Sequence, residues 1–169
     1  MQVIIDGHNV MFAWEGVRQA CLRNPQAGRR LVVEAASRYR AQRPGRKVTV
    51  VFDGRETSSN FSPKTTRESE VRVIYSKPPM NADLVIRELV EVMQGKEETW
   101  VVSSDREVQA HARACGAKVF GAKGFENEML GRAHSRNPSP VSPREGKEKP
   151  TRVRGRDVEF WLRAMGEER

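Results

Sequence analysis

Apolar residues fall along the first 130 positions in two alternating rhythms. Short runs rich in β-branched residues recur at 2–6 (QVIID), 47–52 (KVTVVF), 71–75 (VRVIY), 99–103 (TWVVS) and 118–120 (KVF). Runs this short and this apolar predict strands. Between them the spacing changes to three and four: Val85, Ile86, Leu89, Val90 and Met93 mark one face of a helix running from about residue 82 to Gly95. Asn24-Pro25 predicts another helix start, with asparagine as the cap and proline in the first turn, and Pro44-Gly45 stops that helix after Gln42. Further helices are expected over 105–115, ended by Gly116, and over 124–132. Residues 55–69, rich in Ser and Thr, read as a polar loop.

Strands alternating with helices imply parallel pairing through crossover helices. The expected fold is therefore α/β, a three-layer domain over residues 1–133 with a central parallel sheet of four or five strands between helices. Past residue 133 the pattern ends. Residues 134–156 mix Pro138, Pro140, Pro143 and Pro150 with Ser and basic side chains and hold almost nothing apolar. Such a segment buries too little surface to offset its ordering entropy, so it is expected to be a basic flexible linker. Val158, Trp161, Leu162 and Met165 then line one face of a short C-terminal helix over 157–169, expected to dock back on the domain.

Charge sharpens the picture. The formal net charge is +8. Residues 18–47 carry nine arginines and lysines against the single Glu34, and the 134–156 segment is also strongly basic, which leaves the rest of the chain net acidic. An acidic body with basic segments suits a polyanion whose reacting phosphate is bound together with cations. Arg29, Arg30, Arg38 and Arg40 are the candidate phosphate contacts on the helix; the plainer alternative is that they solvate its outer face. No Gly-x-Gly-x-x-Gly follows the first strand and no Gly-x4-Gly-Lys-Ser/Thr occurs, so dinucleotide enzymes and P-loop NTPases are poor readings. No apolar run is long enough for a bilayer, Asp6 interrupts the N-terminal apolar stretch, and Cys21 and Cys115 lack metal-ligand spacing. A cytoplasmic protein with reduced thiols and no membrane partner is expected.

The candidate chemistry lies in four aspartates. Asp6, Asp53 and Asp105 each follow the carboxyl end of an expected parallel strand, and Asp83 opens the helix after the third one. In open α/β sheets ligands bind at that edge. Singly, each is better explained as a cap or turn former. Four at equivalent places would repel one another unless cations neutralised them, and oxygen-only ligands suit Mg²⁺ or Mn²⁺. Asn9 is placed to orient Asp6 or a phosphate. Ser103, Ser104 and Arg106 offer hydroxyls, backbone N–H groups and a cation beside the helix that Asp105 opens. His8 shares the first turn but has no Cys or His partner at ligand spacing.

These residues carry a resemblance. Val3-Ile4-Ile5-Asp6-Gly7-His8-Asn9-Val10, Phe52-Asp53-Gly54, Asn81-Ala82-Asp83 and Ser104-Asp105-Arg106 resemble, in order, the motifs of the PIN-like NYN ribonucleases. The stretch from Val108 through Gly116 to Glu126 is similar to the YacP-type branch, which includes ribosome-associated endoribonucleases cleaving messenger RNA. The resemblance covers roughly residues 2–130. It implies a metal-dependent endoribonuclease with Asp6, Asp83 and Asp105 as catalytic and metal-binding acids, Asp53 as a candidate fourth ligand, Mg²⁺ or Mn²⁺ as cofactor, and RNA, mRNA in particular, and the ribosome as partners. The chain departs from the pattern at Asn81, where the family usually has Thr, and at Leu84, where a second acid is often found. The alternative is a non-catalytic RNA- or ribosome-binding module on the same fold. A DNA-structure nuclease lacks its helix-hairpin-helix glycines here, and an aspartyl phosphatase would need a second Asp at position 8.

Overall fold

The computed structural model describes residues 1–54, 64–68 and 70–129. The expected linker at 134–156 and the C-terminal helix at 157–169 lie outside the described residues. Strands β1 (Gln2–Asp6), β2 (Lys47–Phe52), β3 (Lys64–Glu68), β4 (Val71–Tyr75), β5 (Thr99–Val102) and β6 (Lys118–Phe120) form one sheet in the order β3-β4-β2-β1-β5-β6. All neighbours pair parallel except β3, which runs antiparallel to β4 at the edge. The α/β fold with a central parallel sheet is as expected.

Helices α1 (Gly7–Ala13), α2 (Glu15–Arg23) and α3 (Pro25–Ala41) connect β1 to β2. Helix α4 (Ala82–Met93) connects β4 to β5, α5 (Arg106–Ala114) connects β5 to β6, and α6 (Glu126–Met129) follows β6. The expected helix starts hold at their caps: Asn24 accepts from Gln26 N and Asn81 from Leu84 N, both at 2.9 Å. Gly116 takes φ 82° just past the end of α5, a conformation that favours glycine.

Three elements depart from the sequence expectation. Helices α1 and α2 fill the stretch between the first strand and Asn24-Pro25. Trp14 separates them with extended backbone at φ −94°, ψ 117°. Strand β3 occupies part of the expected polar loop; its sequence, KTTRE, has no apolar residue, so its ladder to β4 defines it. The last expected helix is α6 within the described residues.

Side-chain parity along the strands explains the two cores. Val3 and Ile5 of β1, with Val48, Val50 and Phe52 of β2, pack beneath α1–α3 around Trp14 and Tyr39. Ile4, Val51 and Val101 point the other way, against Val85, Ile86 and Leu89 of α4 and Val108 and Ala112 of α5. Among the described residues no helix is long and apolar enough to cross a membrane.

Candidate active site

The same parity carries the aspartates to one place. Asp6 follows Ile4 by two residues, Asp53 follows Val51 and Ser103 follows Val101, so all three share the alternation of the α4/α5 face. The first turns of those two helices supply Asp83 and Asp105. Strand β1 is flanked by β2 on one side and β5 on the other, so the sheet is built outward from it in both directions; ligand crevices form at such a switch point.

Asp6 is 1% exposed, yet well supplied with donors. Its Oδ1 accepts from Asn9 N at 3.0 Å. Its Oδ2 accepts from Asn9 Nδ2 at 2.6 Å and from the Ser103 hydroxyl at 2.8 Å. Three of about four acceptor positions on the carboxylate are thereby used. Glycine at position 7 is required by close approach: a Cβ there would stand 2.3 Å from the Phe52 ring.

Ser103 is fully buried, and its hydroxyl also accepts from Asp105 N at 3.1 Å. It links two acids rather than opening to a ligand. Asp105 caps α5 with Oδ1, which accepts from Glu107 N at 2.8 Å and Val108 N at 2.9 Å. Ser104 is exposed; its N–H donates to Asn9 Oδ1 at 3.3 Å and its Oγ accepts from Ala122 N at 3.1 Å. Arg106 is exposed in the first turn of α5.

Asp53 is committed to holding α4. Its Oδ1 accepts from Ala82 N at 2.6 Å and from the buried Ser76 hydroxyl at 3.1 Å. His8 Nδ1 accepts from Asp53 N at 3.2 Å and lies 3.6 Å from Asp53 Oδ2. The shorter contact, a directed N–H bond, sets the ring's orientation. Glycine at position 54 lets this turn close, since a Cβ there would meet Ser76 O at 2.1 Å.

Asp83 is different. No hydrogen bond reaches its carboxylate among the described residues. Burial holds its carboxyl above the usual carboxylate range, the negative charges of Asp6, Asp105 and Asp53 push it further up, and Arg87 opposes them only as the weakest influence. Asp83 therefore feels the other three acids across a shared edge.

Among the described residues, no three acidic, histidine or cysteine side chains form a ready ligand cage. A small hard divalent cation takes oxygen ligands, keeps several of its own waters and needs only one or two carboxylates. An oxygen-only donor set with uncompensated negative charge fits such an ion.

The basic residues separate. Arg29 reaches the acidic edge: its guanidinium donates to Asp53 O at 3.2 Å and lies 5.8 Å and 5.7 Å from the ring centroids of Phe52 and Tyr75. Arg40 stands about 16 Å further along α3, at ~1.5 Å per residue, and pairs with Glu70 at 3.4 Å. Arg38 pairs with Glu34 on its own helix and Arg30 is exposed. The structure thus gathers Asp6, Asn9, Asp53, Asp83, Ser103, Ser104, Asp105 and Arg29 at one edge and leaves Arg38 and Arg40 along the helix. The sequence reading missed Ser76, a lone serine with no motif around it, and the part His8 plays in fixing Asp53.

Known proteins share this fold. A crystal structure of Rae1 (YacP) from Bacillus subtilis superposes with a TM-score of 0.63 at 22% identity, covering 76% of this chain and 73% of that one. A single-site mutant of the same protein gives 0.62 at 22% identity, covering 76% and 74%. At that identity the likeness speaks for the fold. No functionally curated protein matches by sequence. The family model of the YacP-like NYN domain matches residues 3–156, taking in every strand, both acidic helix starts and the four aspartates, and on that match the chain belongs to the YacP-like NYN domain family.

Proposed function

We propose that this chain is a metal-dependent endoribonuclease that hydrolyses RNA phosphodiester bonds, with ribosome-associated mRNA as its substrate in the cell. The observation that carries the reading is Asp83, a half-buried carboxyl that lacks hydrogen-bond donors among the described residues and is crowded by three others. A helix cap or turn former has no need of such crowding. A cation site does.

Asp6, Asp83 and Asp105 would hold Mg²⁺ or Mn²⁺, one or two of them directly and the rest through the ion's waters, with Asp53 positioning α4. A bound divalent ion supplies charge to stabilise the phosphate and acidity for an attacking water. The chain's own residues do the rest. Asn9 and Ser103 fix the Asp6 carboxylate. Asp105, locked by two backbone N–H groups, holds its place at the mouth of α5. Arg29 brings a fixed positive charge to an otherwise acidic edge, and Arg30 and Arg106 offer exposed cations to flanking phosphates.

The test is cleavage of labelled single-stranded RNA by purified protein, with and without ribosomes, in Mg²⁺, Mn²⁺ and EDTA. Internal cuts that need a divalent ion are expected. The Asp83→Asn protein should fold and bind RNA yet cut ~100-fold more slowly, as when a well-placed charge stabiliser is lost. RNA binding without cutting under every condition would instead establish the non-catalytic module.

A further inference from the structure

Beside the acids lies an aromatic surface for which the proposed chemistry has no use. Phe12 sits one helical turn beyond His8 on α1 and is 55% exposed. The core takes Val10 and Met11 from that helix and leaves Phe12 outside. An exposed phenylalanine alone is ordinary. This one is backed: the His8 and Phe12 rings stack with centroids 6.4 Å apart and planes inclined by 21°. His8 in turn meets Phe52 edge-on at 6.3 Å, and its Nδ1 accepts the Asp53 N–H. Phe52 stacks on Tyr75 at 5.7 Å, with Arg29 near both rings. A continuous run of rings thus joins a solvent-facing phenyl to the backbone of a site aspartate.

We propose that Phe12, backed by His8, is a stacking platform for one unpaired nucleobase of single-stranded RNA, next to the phosphate held at the acidic edge. The ligand class rests on the nuclease reading above. Every base has a π-face, so a phenyl platform accepts any base and confers strand selectivity rather than a sequence motif. A duplex keeps its bases stacked on one another and has none to offer. Arg29, and a cation held by the acids, would engage the backbone while the ring engages the base, and the two together set where along the strand a phosphate stops.

The experiment uses the full chain carrying Asp83→Asn, so that RNA stays intact, and a single-stranded oligonucleotide with 2-aminopurine at each position in turn. One position should lose fluorescence on binding through stacking. Adding Phe12→Ala should remove that quench and weaken affinity on the order of 10-fold, while Phe12→Trp keeps both. The slope of log affinity against log salt should not change, because no phosphate contact is lost. An oligonucleotide abasic at the quenched position should bind the Ala and Phe proteins equally. A folded Phe12→Ala protein with unchanged affinity and quench overturns the platform, as does an equal loss of affinity for the abasic strand. Wild-type protein that stacks through Phe12 but cuts nothing keeps the platform and removes the enzyme; cutting with no dependence on Phe12 does the reverse.

Discussion

The Oδ1 of Asp53 accepts the backbone N–H of Ala82 at 2.6 Å, tying the end of β2 to the first turn of α4. Asp83 is the next residue, so this bond fixes where the crowded carboxyl of Asp83 stands. Asp53 thereby acts through geometry, whatever it contributes as a charge.

Asp53→Asn and Asp53→Ala should separate those contributions. The amide oxygen of Asn still accepts from Ala82 and Ser76, so its stability should stay near wild type. Ala leaves the N–H of Ala82, which is 3% exposed, without its acceptor. The cost should be ~2 kcal/mol, read as a lower midpoint in urea, with loss of cleavage alongside. An Ala variant as stable as wild type would show that α4 is placed by its core contacts alone.

Ser103→Ala removes the hydroxyl that donates to the Asp6 carboxylate and accepts the Asp105 N–H. Groups that orient ligand carboxylates commonly contribute 10- to 100-fold in metal affinity. We expect Mg²⁺ binding, followed by calorimetry, to weaken by about 10-fold while the sheet stays intact. Unchanged affinity would mean that Asn9 alone aligns Asp6.

Replacing Arg29, Arg30, Arg38 and Arg40 with Gln should flatten the salt dependence of RNA binding by ~0.7 per lost single-strand contact. Arg38 and Arg40 sit in exposed ion pairs, which are weak enough to exchange for phosphate. Arg29 is committed to Asp53 and two rings, so its single variant should cost stability as well as affinity. If the quadruple variant keeps the wild-type slope, α3 faces solvent rather than RNA.

The parallel strands were legible because most of their residues are buried on both faces and so read as short, largely apolar runs, broken only by residues such as Thr49 and Arg72. Asp6, Asp53 and Asp105 were legible because each stands just past such a run, and Asp83 because it opens the helix after one. Helices α1 and α2 left a fainter trace: Val10, Trp14, Val17 and Cys21 recur at helical spacing, but the extended backbone of Trp14 breaks the helix between them. Their glycines, Gly7 and Gly16, obscure the pattern further. Strand β3 left none, since the sequence KTTRE has no apolar residue to mark it. The different fates of Arg29 and Arg40 were beyond the sequence as well, because both sit on one basic helix and only its direction across the sheet separates them.

The crowding at Asp83 has a sign that stability measurements can read. Its folded carboxyl binds a proton more tightly than the unfolded one, whose ordinary value is 3.8. Below that value Asp83 is neutral in both states and carries no penalty. As pH rises, the unfolded chain ionises first, so stability falls until the folded carboxyl has ionised too, and the full penalty persists to neutral pH. Asn at this position has no charge to crowd and keeps most of the shape. In EDTA at pH 7, Asp83→Asn should therefore melt at a higher temperature than wild type, and the gap should close as the pH is lowered towards 3.8. Mg²⁺ should reverse the order at pH 7, because an ion bound to the folded wild type stabilises it by mass action and the variant binds that ion weakly. Equal melting of the two proteins in EDTA at all pH values would mean that Asp83 is not crowded by its neighbours, and the site would lose the feature that calls for a cation.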